Sequence, residues 1–488
     1  IMEPEGVRDI LLNNFAGVRF DGSNATIIGS EPGEFIADRN NISRVWMDHG
    51  AWPFLTTKLY LDQSGDLDFL LEEQSYFKDA HTAFGNQIDE NWERESGNKL
   101  LDQKDNVYQG SILEHLLVQH LTLFFNVGDN NNLRLEGADW NDGLDMAEEK
   151  GESVTFTALY ASNLSEMAEL LKALKTEKNI ESLELAEELK TLFDSLTEAI
   201  NYDSVEEKHK LLDSYFASYQ TKVSGTKMEF EIDALIEDLE QKADWIIKHL
   251  RKNEWLENEE GYQWFNGYYD NDGKQLEGDH QLGVRMTLTG QVFPIMGNVA
   301  SESQVEEIIK TADHYLKDDQ VGGYRLNTNF NELLMNMGRA YGFAYGHKEN
   351  GAMFSHMAVM YSNALYKRGY AAAGNEVISS IYKQSINYQQ SKIYPGIPEY
   401  INNRGEGLYH YLTGSASWLL LTMVTQVYGV RGDLGDLVLD PKLMPEDFDE
   451  QAEAKIRTIF AVRDLEIIYS NPDYLNYNDY EIREVLLN

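Results

Sequence analysis

Hydrophobic positions recur at helical spacing along most of the chain. Leu164, Met167, Leu170, Leu171 and Leu174 line one apolar face. Met353, Met357, Met360, Tyr361 and Ala364 line another, with Lys367 and Arg368 near its end, where the helix dipole favours cations. The same reading predicts helices near 46–63, 107–125, 184–200, 228–252, 302–317, 373–387 and 415–428. The charged stretch 175–225 carries Glu and Lys with no aromatic richness until Tyr215, and predicts an outer helical hairpin. Two regions break the period. Aromatic residues crowd 262–270 ahead of Asn271-Asp272-Gly273, which predicts a tight hairpin turn. Ile456, Thr458, Phe460 and Val462 alternate with polar positions, and so do Leu465, Ile467 and Tyr469, which predicts strands. There is no βαβ alternation, no Gly-rich phosphate loop and no fixed-period repeat. Many helices of ordinary length with long loops suit a mainly α fold of the α/α-barrel kind over 1–431, with a small β-rich C-terminal piece over 432–488.

Charge changes the picture of partners. The 488 residues hold 41 Lys and Arg against 82 Asp and Glu, a formal net charge of −41. A field of that sign repels phosphate backbones and anionic lipid, and no Lys/Arg block offers a local exception, so neither nucleic acid nor a membrane surface is an expected partner. Any small anion must be held by a few local cations and backbone N–H groups. There is no cysteine, which removes disulfides, thiolate metal sites and thiol nucleophiles and fits a cytoplasmic enzyme. The apolar run at Trp418-Leu419-Leu420-Leu421 is broken by Thr422 and Thr425 and is too short to span a bilayer. At 42% hydrophobic, the composition supports a sizeable core.

Three segments carry candidate chemistry. Glu136-Gly137-Ala138-Asp139-Trp140-Asn141-Asp142-Gly143-Leu144-Asp145 places carboxylates, an indole and an amide between glycines. Sugars are held this way, with C–H groups against an aromatic face and hydroxyls on carboxylates and amides. A solvated acidic turn or a calcium loop has the same composition, although the spacing is not that of an EF-hand. His347-Lys348-Glu349-Asn350-Gly351, followed by Ser355-His356, gathers a cation, a carboxylate and an imidazole at a helix start, or is a capped helix with surface charges. Tyr411-Leu412-Thr413-Gly414-Ser415-Ala416-Ser417-Trp418 opens an apolar helix with a hydroxyl and backbone N–H groups, an anion nest or an ordinary N-cap. Glu114-His115 and His120 lack the spacing of a zinc helix and read as core or cap residues, and Arg404 reads equally as a loop salt bridge or a ligand contact.

Taken in order, Asp-Trp-Asn-Asp-Gly, then Lys-Glu-Asn-Gly with a nearby His, then Tyr-x-Thr-Gly-Ser-Ala-x-Trp resemble the cellobiose phosphorylase family, glycoside hydrolase family 94. The resemblance runs from Arg44-Val45-Trp46-Met47-Asp48 to Leu437-Val438-Leu439-Asp440-Pro441. It implies an (α/α)6 barrel followed by a jelly-roll-like C-terminal domain and preceded by a β-sandwich. The implied reaction is reversible, inverting phosphorolysis of a β-linked gluco-oligosaccharide to α-glucose 1-phosphate. Asp142 then matches the general acid, Trp140, Lys348 and Glu349 the sugar contacts, and His356, Thr413 and Gly414 the phosphate site. Inorganic phosphate is the co-substrate, no metal or organic cofactor is implied, and a homodimer is compatible. An inverting hydrolase with Glu349 as base, or a non-catalytic carbohydrate-binding relative, are the rival readings. The linkage is open, with β-1,2 or β-1,3 favoured. The family's early Arg-Asp motif has no counterpart in context, since Arg8-Asp9 and Asp38-Arg39 are the early pairs available. The chain is therefore expected to be a piece of a longer enzyme.

Overall fold

A computed structural model describes residues 4–37, 44–219, 221–319, 321–394, 396–410 and 414–487. Among them are twelve α-helices: α1 (Pro4–Phe15), α2 (Ala51–Ser64), α3 (Ile112–Phe125), α4 (Val154–Lys178), α5 (Val205–Ser218), α6 (Ile232–Asn253), α7 (Thr289–Met296), α8 (Glu302–Tyr315), α9 (Ser355–Lys367), α10 (Ala371–Ile386), α11 (Tyr388–Ser391) and α12 (Gly414–Thr422). Between them run two- and three-stranded antiparallel ribbons. No helix of the described residues is long and apolar enough to cross a membrane.

The core gathers around α3 and α4. Every residue of α3 is buried, as its near-continuous apolar sequence requires, and α4 is buried along most of its length. α4 packs on α6 and α7, and α9 packs on α7, α10 and α12. His115 and His120 are core residues on α3. The ring of His115 stacks on Tyr76 at 3.8 Å, and each donates its Nδ1–H to the carbonyl four residues back. Side chains cap the helices where the sequence supplies them: the Oγ of Ser111 accepts from the Glu114 N–H, and that of Ser153 from the Phe156 N–H.

Two predicted helical regions fold otherwise. Residues 182–186 form a strand paired with 227–231, because Leu183 and Leu185 point inward at period two while Glu184 faces out. Short 3-10 turns at Glu187–Thr191 and Asp194–Leu196 follow, so 184–200 is not a helix, and 175–225 holds α5 and this ribbon in place of a helical hairpin. The turn at 271–273 forms as predicted, closed by the Asp270 N–H on the Lys274 carbonyl at 2.9 Å. The C-terminal alternation is a hairpin, Glu453–Phe460 against Arg463–Ser470, and a second hairpin, Val430–Asp433 with Asp436–Leu439, docks on α2.

Candidate active site

Asp139 and Asn141 shape the acidic loop by accepting from backbone N–H groups two residues on: Asp139 Oδ1 from Asn141 at 2.9 Å, and Asn141 Oδ1 from Gly143 at 3.1 Å. Asp139 is also tied to α4, whose cap Ser153 donates its hydroxyl to Oδ2 at 2.8 Å. Burial pushes Asp139 up to about 7, and its bonds to the Asn141 N–H and the Ser153 hydroxyl make it a strut of the loop. The adjacent segment 45–47 pairs with 136–138, through the Gly137 N–H on the Val45 carbonyl and the Met47 N–H on the Ala138 carbonyl. Asp48 is thereby set beneath the loop. Burial raises Asp48 to about 6 against the hydrogen bond from the Trp52 indole at 2.7 Å, and the charge of Asp142 adds to the rise.

Asp142 is different. Its side chain is 58% exposed, and its Oδ2 lies 3.1 Å from Nη2 of Arg339. Of the two aspartates in Asp-Trp-Asn-Asp, it alone is open to meet a ligand. Arg339 is held in turn by Asp145, to which it presents both its backbone N–H, at 3.1 Å, and its guanidinium.

Lys348 and Glu349 stand at the tip of a tight turn, 346–350, closed by the Gly346 N–H on the Asn350 carbonyl at 2.7 Å. The turn precedes α9, which opens at Ser355 and carries His356 as expected. Lys348 takes a left-handed backbone, φ +49°, and its Nζ sits 5.0 Å from the Phe343 ring centre and 5.9 Å from that of Tyr409. Burial raises Glu349; Asp142 adds to this while Lys348 and Arg339 oppose it. Glu399 feels the same set: burial raises it first, then Glu349, with Lys348 opposing and Asp142 adding. It is placed by the ribbon of Met353–Phe354, Tyr400–Ile401 and Gly407–Leu408.

His356 completes the group. Its Nδ1 accepts the indole N–H of Trp140 at 3.2 Å, which puts the ring proton on Nε2. Burial lowers His356 to about 4, so the imidazole is neutral at pH 7. Nε2 is sealed from solvent and has no hydrogen-bond partner among the described residues. The ring lies against Gly414, where an added Cβ would stand 2.4 Å from Cε1. Trp140 packs edge-on against Phe354 and His356, at 5.3 and 5.5 Å between ring centres. Thr413 lies outside the described residues, as does the Asp38-Arg39 pair. Arg8, on α1, pairs with Asp66 and Glu72, and Arg404 is exposed.

The structure thus joins six of the seven residues singled out in the sequence, and adds Asp48, Arg339 and Glu399. Asp48 closes the first segment of the resemblance; Arg339 and Glu399 are lone charges without a periodic signal.

Residues 227–429 match the family model described as "Glycosyl hydrolase 94 superfamily, catalytic domain". Over that stretch the chain is similar to the catalytic domain of the glycosyl hydrolase 94 superfamily. The matched stretch holds Arg339, Lys348, Glu349, His356 and Gly414, while Trp140 and Asp142 precede it. Among curated relatives, a solabiose phosphorylase of Paenibacillus borealis is 21% identical over 424 residues, 83% of this chain and 42% of the relative. A 3-O-β-D-glucopyranosyl-β-D-glucuronide phosphorylase of the same organism is 23% identical over 205 residues, 40% of this chain and 26% of the relative. A cellobionic acid phosphorylase of Neurospora crassa is 23% identical over 174 residues, 33% of this chain and 22% of the relative. The chain spans less than half the length of each of these relatives. Among solved structures, a GH78 family rhamnosidase of Bacillus sp. GL1 aligns with a TM-score of 0.48 at 11% identity, covering 94% of this chain and 35% of that one.

Proposed function

We propose that the chain carries the catalytic machinery of an inverting phosphorylase that cleaves a β-linked gluco-oligosaccharide with inorganic phosphate. The observation that carries this reading is the hydrogen bond from Trp140 to His356, which joins the loop of the exposed carboxyl to the imidazole beside the start of α12. In an inverting cleavage one carboxyl protonates the leaving oxygen while a nucleophile attacks the opposite face of the sugar. Asp142 gives its proton to the glycosidic oxygen, the anomeric C–O bond breaks, and a phosphate oxygen bonds to the anomeric carbon from the other side. The products are an α-sugar 1-phosphate and a shortened sugar, and no second catalytic carboxylate is needed.

The other residues divide between the two substrates. Trp140, Lys348 and Glu349 hold the donor sugar, the indole by its face and the pair by hydrogen bonds to hydroxyls. His356, Thr413 and Gly414 hold phosphate, with a neutral imidazole donating from Nε2 and the first turn of α12 presenting its positive end. In this structure Nε2 is sealed from solvent and Gly414 lies against the ring, so an anion reaches Nε2 only if the ring and its surroundings part. We assign residues 1–431 to an (α/α)6 barrel and 432–488 to a small β-rich, jelly-roll-like C-terminal piece, and place the enzyme in the cytoplasm with no metal or organic cofactor. The relatives are named as phosphorylases, one of them of a 3-O-β-D-glucopyranosyl-β-D-glucuronide, and the donor here is read as glucose.

The test is substrate consumption with and without phosphate, on a panel of β-1,2- and β-1,3-linked gluco-oligosaccharides. Phosphate-dependent consumption supports the reading; equal consumption without phosphate makes the enzyme a hydrolase.

A further inference from the structure

We propose that Arg339 is a positioning residue that holds the conjugate base of the general acid, stabilising the carboxylate that forms on Asp142 as its proton leaves. The inference rests on the assignment of Asp142 above. When the glycosidic oxygen takes the proton, a full negative charge appears on Asp142, in a place already crowded with carboxylates. Asp145 is on the same loop, and Glu349 and Glu399 face it from the 346–350 turn and the neighbouring ribbon, with Asp48 beneath. Lys348 is the other cation of the group, and it leans over Phe343 and Tyr409. Arg339 is the cation in contact with Asp142, with Nη2 3.1 Å from Oδ2.

The contact is built into the backbone. The Ala340 N–H bonds to the Gly143 carbonyl at 2.9 Å, and the Met146 N–H meets the Met337 carbonyl at 3.4 Å, so the two loops run against each other. Glycine is required at this crossing: a Cβ on Gly338 would lie 2.1 Å from the Gly143 oxygen, and one on Gly143 would lie 2.8 Å from the Ala340 Cβ. Asp145 then fixes Arg339 twice, through its backbone N–H and its guanidinium. A donor fixed before the reaction needs no reorganisation when charge develops, which is how such groups lower a barrier. A planar fork that serves two carboxylates at once is also a task for arginine and not for lysine.

The role predicts a dependence on the leaving group. A natural β-glucoside needs a proton on its departing oxygen, whereas β-glucosyl fluoride loses fluoride as an ion while phosphate attacks. Arg339→Met is therefore expected to lower kcat roughly tenfold to a hundredfold on a β-linked gluco-oligosaccharide, and to leave phosphate-dependent turnover of β-glucosyl fluoride within about twofold of wild type, a bound set by the same reasoning. Arg339→Lys should show the same selective loss in smaller measure, and it serves as the test if the methionine variant does not fold. Equal losses on both donors, a raised phosphate KM, or no loss on the glucoside would each overturn the proposal. Asp142→Asn run in parallel separates the two claims: if it keeps turnover on the glucoside, the acid assignment fails. If it shows the selective loss and Arg339→Met does not, only the role of Arg339 fails.

Discussion

The indole N–H of Trp140 donates to Nδ1 of His356 at 3.2 Å, linking residues 216 apart in sequence. The bond fixes the tautomer of a half-buried imidazole, leaving its one proton on Nε2. Trp140→Phe keeps an aromatic face for the sugar and removes this anchor. Its phosphate KM should rise roughly tenfold, the order of one lost hydrogen bond, with the sugar KM changed less. Trp140→Ala should raise the sugar KM as well, because the stacking face is gone. Initial rates with each substrate varied in turn distinguish the two. An unchanged phosphate KM in Trp140→Phe would remove His356 from the anion site.

Gly414 makes a second, steric test. A methyl group there would press on the His356 ring, with three ring atoms within 2.8 Å. Gly414→Ala should therefore displace the imidazole or the start of α12 and raise the phosphate KM, while melting temperature falls by only a few degrees, the usual scale for about 1 kcal/mol. Normal phosphate kinetics in this variant would show that the close approach is not part of the site.

Lys348 and Glu349 should report on the sugar. Lys348→Ala and Glu349→Gln are each expected to cost about tenfold or more in kcat/KM for the oligosaccharide, the scale of a hydrogen bond to a charged group. Their phosphate KM should be unaffected. A phosphate effect from Lys348→Ala larger than its sugar effect would move that lysine to the anion site.

Buried carboxyls set the pH range of stability. Burial raises Glu277 from its ordinary 4.5 to about 8, although Thr287 and the Gly267 N–H bond to it, and raises Glu114 and Glu152 to about 7. Between pH 4.5 and 8 the folded protein binds protons at these sites that the unfolded chain has lost, so stability falls as pH rises through that window. Four histidines work the other way: burial lowers His49, His115, His120 and His356 to about 4, so stability falls as pH drops from 6.5 toward 4. Melting temperature should peak between these limits. Glu277→Gln should flatten the alkaline decline, since a tenfold displacement of proton affinity is worth about 1.4 kcal/mol. An alkaline slope identical to wild type would contradict this account of Glu277.

What the sequence made legible follows from where the information is local. The apolar stripe from Met357 to Ala364 became a helix, with Met353 in the short strand ahead of it, and the alternation from Ile456 to Tyr469 became a hairpin. The stretch 184–200 misled because Leu183 and Leu185 are buried by a partner strand at 227–231, which no local period reveals. In the site, Asp142, Trp140 and His356 were visible as motif members. Arg339 was not, since it reaches Asp142 only because the glycines at 143 and 338 let two distant loops touch. Nor could composition show that Asp139 is a buried strut and Asp142 the exposed carboxyl; that division comes from Ser153 and the paired backbone turns.

Inverting phosphorolysis with Asp142 as the acid is read from the configuration of the first-formed product, followed by NMR. Wild-type enzyme with a β-linked gluco-oligosaccharide and phosphate should yield α-glucose 1-phosphate, and Asp142→Asn should slow its appearance at least about a hundredfold. A β-configured phosphate, free glucose formed without phosphate, or near-normal turnover by Asp142→Asn would contradict the account.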